Sequence, residues 1–404
     1  MKKRILYFAP IQGPLVVDKR KIVVNYNIAA NPKIRSICKA LDLLGHEITI
    51  CSPGTVGENR NRLYRSFSEQ IEIKRDELRI IADYLATYDN RYLKTFVEVT
   101  SCLIIVPRIL KKKCADTVIV YNISLLSIVV SILGKVNDCE VYLEYEDSPK
   151  SVRVKRSSLF IILKSLYKKL YSPVEAIYGK YLLDGAIAVN MDLARSIKNR
   201  NYICIPGVVP DDGLKKKSAK NANLNGIKMI YSGGLSEDKG ILNFIKAIED
   251  CKYRFELHIF GKGPQSEIIR EYCDKRKDKY IFHGFVTREI LLSTMESCDV
   301  GINPHSCEMD KGGFLPFKLV EYLSVCGSVI SSNSSGIPKE LKNNIYLYEE
   351  KSKRELLNAF EKFIIEWPEY RKEKEQRIEW AYSNYSTEAI SRKLDSLFRQ
   401  AVLK

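Results

Sequence analysis

The chain reads as an α/β protein with two doubly wound parallel sheets, an expectation carried by three observations. Apolar runs alternate with helical spacing from the start: Arg4–Ala9 as a strand, Asn31–Leu44 as a helix with Ile34, Ile37, Leu41 and Leu44 on one face, Gly45 as its stop, and His46–Cys51 as the next strand. A polar stretch rich in lysine and asparagine, Asp211–Gly226, then breaks the periodicity as a linker does. Beyond it the pattern restarts with the strand Lys228–Tyr231 and the glycine-bearing loop Gly233–Gly240, which opens a helix with Lys239 facing any anion at the strand ends. At 404 residues and 45% hydrophobic content, two domains of ordinary size each have material for a core.

Between Ser66 and Lys113, Leu, Ile and Tyr recur at spacings of three and four among charges, which predicts added helices. Lys111, Lys112 and Lys113 complement the dipole at the C-terminal end of this stretch. Thr117–Tyr121 and Glu140–Tyr145 read as strands around the helix Leu125–Lys135. The second strand runs out into Glu144, Glu146 and Asp147, carboxylates at the strand end where open parallel sheets bind ligands; Asp147 also reads as a helix cap. Ser158–Tyr171 carries Leu159, Leu163, Leu166 and Leu170 on one stripe among basic residues. Such a helix either packs with a wet basic face or lies on an anionic membrane. Gly185–Val189, a helix from Met191 and Tyr202–Ile205 complete the first sheet.

In the second half Phe255–Phe260 and Val300–Asn303 read as strands. Lys353–Lys404 reads as helical, with Trp367 and Trp380 as apolar anchors. Gly261-Lys262-Gly263 begins like a dinucleotide fingerprint. Ser266 replaces its third glycine and no acidic residue follows near the required spacing, which excludes a Rossmann cofactor site.

The net charge of +16 draws the chain toward phosphates, anionic lipid or nucleic acid without choosing among them. No basic stretch interleaved with aromatics points to nucleic acid. Eleven cysteines, an odd number with no C-x-x-C spacing, read as reduced thiols of a cytoplasmic protein. The apolar run after Met1-Lys2-Lys3-Arg4 is too short for a signal peptide, and no segment reaches the roughly 18 apolar residues of a membrane span.

The stretch Gly312–Leu323 joins a glycine pair to an apolar helix that opens near Pro316, with free amides at Phe317 and Lys318. A helix N-terminus favours an anion such as a phosphate. Glu321, a turn further on, accepts from a vicinal diol such as a ribose, or is simply a solvated carboxylate on a core helix.

This stretch resembles the donor-binding loop and helix of retaining glycosyltransferases of family four, in the variant written FPxKxxEYL. Glu321 matches the second glutamate of the family's Glu, seven residues, Glu pattern; Gly313 stands where the first would be. The loop around Lys239 resembles the family's Gly-Arg-Leu, three residues, Lys-Gly, with Lys239 on its lysine and Gly234 on its arginine. Lys318 and Lys262 are candidates for the second cation. Gly13 lies in a loop similar to the family's glycine loop over the diphosphate, and Gly284-Phe285-Val286 resembles the loop that meets the base. Pro206–Pro210 resembles the segment after the last strand of the first domain.

The resemblance implies a GT-B fold, two Rossmann-like domains facing across a cleft. Residues 1–206 would be the acceptor-side domain, 207–227 a linker, 228–380 the nucleotide-sugar domain, and 381–404 a helix crossing back to the first. It implies a retaining transfer from a nucleotide-diphosphate sugar to a glycan or polyprenyl-diphosphate-linked acceptor, in capsule or lipopolysaccharide synthesis at the inner face of the cytoplasmic membrane. Lys239 and Glu321 would be its catalytic residues. Gly13, Gly234, Lys262, Phe285, Val286, Pro316, Phe317, Lys318 and Leu319 would bind the donor, with Glu146 and Asp147 toward the acceptor. No cofactor is expected, and with no Asp-x-Asp triplet in the sequence no metal is expected either. The alternatives are a nucleotide-sugar epimerase of the same fold, for which the four histidines sit mainly beside or within strands, and a non-catalytic nucleotide-sugar or polyanion binder.

Overall fold

The computed structural model describes residues 2–20, 30–53, 61–74, 78–90, 92–147, 171, 173–210, 226–305, 317–349 and 352–402. The glycine pair and Pro316 of the central loop, most of the basic stretch Ser158–Tyr171 and most of the linker lie outside the described residues. The chain divides into two compact units, Met1–Val208 with Thr387–Lys404, and Val209–Ser386.

The first unit holds β1 (Arg4–Phe8), β2 (Glu47–Ser52), β3 (Leu63–Tyr64), β4 (Phe67–Lys74), β5 (Leu78–Tyr84), β6 (Thr87–Tyr88), β7 (Thr117–Tyr121), β8 (Glu140–Tyr145), β9 (Gly185–Ala188) and β10 (Tyr202–Cys204). Eight of them form one sheet in the order β10-β9-β8-β7-β1-β2-β5-β4; β3 and β6 pair separately. The central strands are continuous apolar runs buried on both faces, as a parallel sheet between helices requires. Helix Ala30–Leu43 packs against the last helix, Thr387–Val402, which also meets β9 and β10.

The stretch Ser66–Lys113 departs from the helical expectation. Its first part is β4 and β5, an antiparallel pair at the sheet edge, and only Lys94–Lys113 is a helix. In β5, Ile80, Ala82 and Tyr84 are buried at every second position, and Ile71 and Ile73 alternate in the same way in β4. The period is two. Residues dense in Ile, Leu and Tyr satisfy spacings of three and four as well, and the strand pattern was hidden beneath them.

The second unit holds β11 (Ile227–Gly234), β12 (Phe255–Lys262), β13 (Tyr280–Gly284), β14 (Val300–Asn303), β15 (Val329–Ser332) and β16 (Tyr346–Tyr348) in one sheet, order β13-β12-β11-β14-β15-β16, with every pair parallel. Its core joins Met229, Leu257 and Ile259 of the sheet to Phe244, Phe360 and Phe363 of the helices Ile241–Ala247 and Lys353–Tyr370. Trp367 is buried in this core, whereas Trp380 is half-buried against Tyr385. No disulfide joins the described cysteines.

Candidate functional site

In the second unit the polar groups gather at the carboxyl end of β11. Helix Lys318–Val325 is pinned there by Tyr322, whose hydroxyl oxygen accepts the Ser232 N–H at 2.7 Å from a fully buried ring. The same helix therefore carries Lys318 and Glu321 to the strand end in a fixed register. Glu321 is 3% exposed, and Arg288 donates to its Oε1 at 2.9 Å. One carboxylate oxygen thus accepts from within the protein, and the carboxylate is not the solvated one of the alternative reading. Arg288 was not found from the sequence. Its signal is a cation at the first position of helix Arg288–Ser297, where the dipole disfavours positive charge unless a carboxylate holds it.

Lys318 stands with its ammonium 5.8 Å from the centre of the Tyr231 ring. Burial pushes it down to about 8; the Glu321 carboxylate opposes that shift and the Lys239 cation adds to it. Lys239 ends the tight turn Glu237–Lys239 and does not open the following helix, which begins after Gly240. Its ammonium lies 3.3 Å from Asp238 Oδ2. Lys239 and Lys318 therefore converge with Glu321 where β11 ends, with Asp238 beside the first and Arg288 on the last, a composition suited to a phosphorylated, hydroxyl-bearing ligand.

The glycines here differ. A Cβ at Gly233 would come within 2.7 Å of the Tyr231 hydroxyl and 3.0 Å of Lys318 Nζ, so the lysine occupies space that only glycine leaves. At Gly234 the nearest atom to an added Cβ is Lys239 Cγ at 3.7 Å, an ordinary contact. The position matched to the family's arginine has room for a side chain, and Lys318 stands beside the neighbouring glycine.

Lys262, paired with Gly234 across β11 and β12, holds its ammonium 5.3 Å from the Phe285 ring centre. Phe285 is 52% exposed and Val286 half-buried. Phe317 is half-buried directly before its helix, and Leu319 is fully buried with its side chain in the interior. Pro316 lies outside the described residues.

A second cluster occupies the first unit. Glu144 and Glu146, two apart at the end of β8, share a face: Tyr7 donates to Glu144 Oε2, and Lys33 donates to Glu146 Oε1 and to the Ile205 carbonyl, the latter at 2.7 Å. Asn122, in a left-handed turn after β7, accepts the Glu146 and Asp147 amides at 2.7 and 3.0 Å. Glu144 is fully buried, and burial together with the neighbouring Glu146 raises it to about 8. Burial also raises Glu146, against the pull of Lys33. Asp147 is exposed. Lys33 and Tyr7 were missed in the sequence, being far from the carboxylates along the chain.

Gly13 precedes the short helix Pro14–Arg20, and the Leu15 and Val16 amides donate to Glu69 at 2.9 and 3.2 Å. A Cβ at Gly13 would meet Glu69 Oε1 at 2.4 Å, so glycine makes room for this carboxylate. The amides that follow Gly13 are satisfied from within the chain.

Among the described residues, no group of three His, Cys, Asp or Glu is placed to hold a metal ion.

Residues 214–383 match the family model described as glycosyl transferases group 1. No curated protein sequence matches the chain. Among solved structures, a glycosyltransferase from Rickettsia africae aligns with a TM-score of 0.66 at 16% identity, over 99% of both chains. Anabaena Alr3699/HepE in complex with UDP aligns with a TM-score of 0.61 at 13% identity, over 98% of this chain and 100% of that one. The lipopolysaccharide outer core galactosyltransferase WaaB aligns with a TM-score of 0.60 at 12% identity, over 98% and 99%. Two largely parallel Rossmann-like sheets in this order make the fold that of the GT-B glycosyltransferases.

Proposed function

We propose that the chain is a retaining glycosyltransferase that moves a sugar from a nucleotide-diphosphate sugar to a glycan or lipid-linked glycan acceptor during surface polysaccharide synthesis. The carrying observation is the convergence of Lys239, Lys318 and Glu321 at the end of β11. The match to glycosyl transferases group 1 over this same unit supports it, as do neighbours that bind UDP or build lipopolysaccharide.

In this reading the diphosphate lies against the two ammonium groups and the amides that open helix Lys318–Val325. The free oxygen of Glu321 accepts from the ribose, and the base rests near Phe285 and Val286. When the bond from the sugar's anomeric carbon to the diphosphate oxygen breaks, its electron pair leaves on the phosphate, and the developing charge is met by fixed cations. The acceptor hydroxyl attacks on the face of departure and its proton passes to the leaving phosphate. Glu146 and Asp147 meet the acceptor. The transfer is metal-independent and takes place in the cytoplasm, at the inner face of the membrane.

The test is thermal stabilisation by a panel of nucleoside diphosphates, followed by turnover of the matching sugar donors with and without a chelator. One diphosphate raising the midpoint, and turnover undiminished by the chelator, are expected. A flat panel overturns the reading.

A further inference from the structure

Three neighbouring helices of the first unit turn apolar side chains to water. Helix Leu125–Val136 is partly reversed: Ser127, Ser131 and Gly134 are buried beside the lone inward aliphatic Val130, while Leu125, Ile132 and Val136 are 56, 45 and 74% exposed. A surface helix is ordinarily polar outside and apolar within. The inward serines are satisfied, Ser127 by the Tyr121 carbonyl at 3.3 Å and Ser131 by the Ser127 carbonyl at 2.8 Å. Helix Lys94–Lys113 packs alongside and exposes Phe96, Leu103 and Ile104. On the other side the helix spanning 173–181 is tied in by Tyr178, whose hydroxyl lies 2.6 Å from Ser131 Oγ. It exposes Val174, Ile177 and Tyr181 at spacings of three and four.

The charges on these helices have one sign outward. The only carboxylates in the three, Glu98 and Glu175, are buried, whereas Arg108, Lys111, Lys112 and Lys180 are exposed. Among the described residues no helix is long and apolar enough to cross a membrane.

We propose that this three-helix face docks the unit on an anionic lipid surface, with its apolar side chains at the boundary of headgroups and acyl chains and its lysines against the headgroups. Charge selects this occupant. A second copy meeting the face through a two-fold axis would bring the same cations of both copies together, with Asp138, just past the helix Leu125–Val136, an exposed carboxylate too small in charge to balance them. The inference deepens the reading of a lipid-linked acceptor, yet it stands on the face alone.

The test is flotation of the full chain with phosphatidylcholine vesicles, with and without phosphatidylglycerol. The chain is expected to float with the anionic vesicles. The triple variant Phe96→Glu, Ile132→Glu, Ile177→Glu should lose at least ~10-fold in partitioning, because its apolar contact is gone and its new charges repel the lipid. The three side chains are exposed, so the melting midpoint and nucleoside diphosphate binding should be kept, which separates this outcome from failure of the transferase reading. Lys111→Gln with Lys112→Gln should remove part of the salt-sensitive binding. A triple variant that floats as well as the parent overturns the proposal. So does a parent that ignores anionic vesicles but dimerises with concentration, in a manner the triple variant abolishes.

Discussion

Arg288 donates to Glu321 across 2.9 Å and joins the start of helix Arg288–Ser297 to the helix that carries Lys318. Removing the guanidinium leaves a nearly buried carboxylate without its main partner. Arg288→Ala should therefore lower stability by about 1–3 kcal/mol and weaken nucleotide binding. Glu321→Gln keeps the volume and an acceptor for Arg288; it should lose nucleotide affinity with a smaller stability cost. Calorimetry and denaturation on the two single variants and the double variant check this. Unchanged affinity in both singles would make the pair structural only.

Lys239→Ala should reduce transfer at least ~10-fold with the fold intact, since a fixed cation opposite the leaving phosphate contributes on the order of 1.4 kcal/mol or more to the transition state. Steady-state kinetics decide it, and equal turnover removes Lys239 from the site.

Lys318 is lowered to about 8, so in the unliganded protein its ammonium is present below that pH and progressively lost above it. A bound diphosphate favours the charged form. Binding should then take up a proton between about pH 8 and 10, and affinity should fall across that window. Titration calorimetry in buffers of different ionisation enthalpy reads the uptake directly, and Lys318→Met should abolish it.

Gly234→Arg should be tolerated, because an added Cβ meets nothing closer than 3.7 Å. A third cation at the end of β11 should tighten diphosphate binding several-fold, as charge-assisted phosphate contacts do. A lowered melting midpoint without tighter binding would show that the space cannot take the side chain.

Glu144 has its folded value raised from the ordinary carboxylate range to about 8. The native state therefore holds a proton that the unfolded chain has already released, and stability should decline as pH rises toward about 8. Glu144→Gln should flatten that decline. Denaturant midpoints from pH 5 to 9 provide the comparison.

The strands of both sheets were legible in the sequence wherever apolar runs fill them, as in β1 and β7, since a buried parallel strand has no polar face to blur the pattern. The edge pair β4 and β5 was not, because a half-exposed strand rich in Ile and Tyr also fits helical spacing. Lys239, Lys318 and Glu321 could be singled out because each sits in a local motif. Arg288 and Lys33 were not, since their partners stand 33 and 113 residues away and only the folded chain brings them together.

The partly reversed helix Leu125–Val136 also separates two demands that are usually bound to one another. Its outward side chains contribute little to the folding of the unit, because the inward face is made by Ser127, Val130, Ser131 and Gly134. Polar substitutions at Leu125, Ile132 or Val136 should leave the chain as stable as before and more soluble, so whatever keeps these positions apolar acts on the assembled protein in its surroundings and not on its ability to fold.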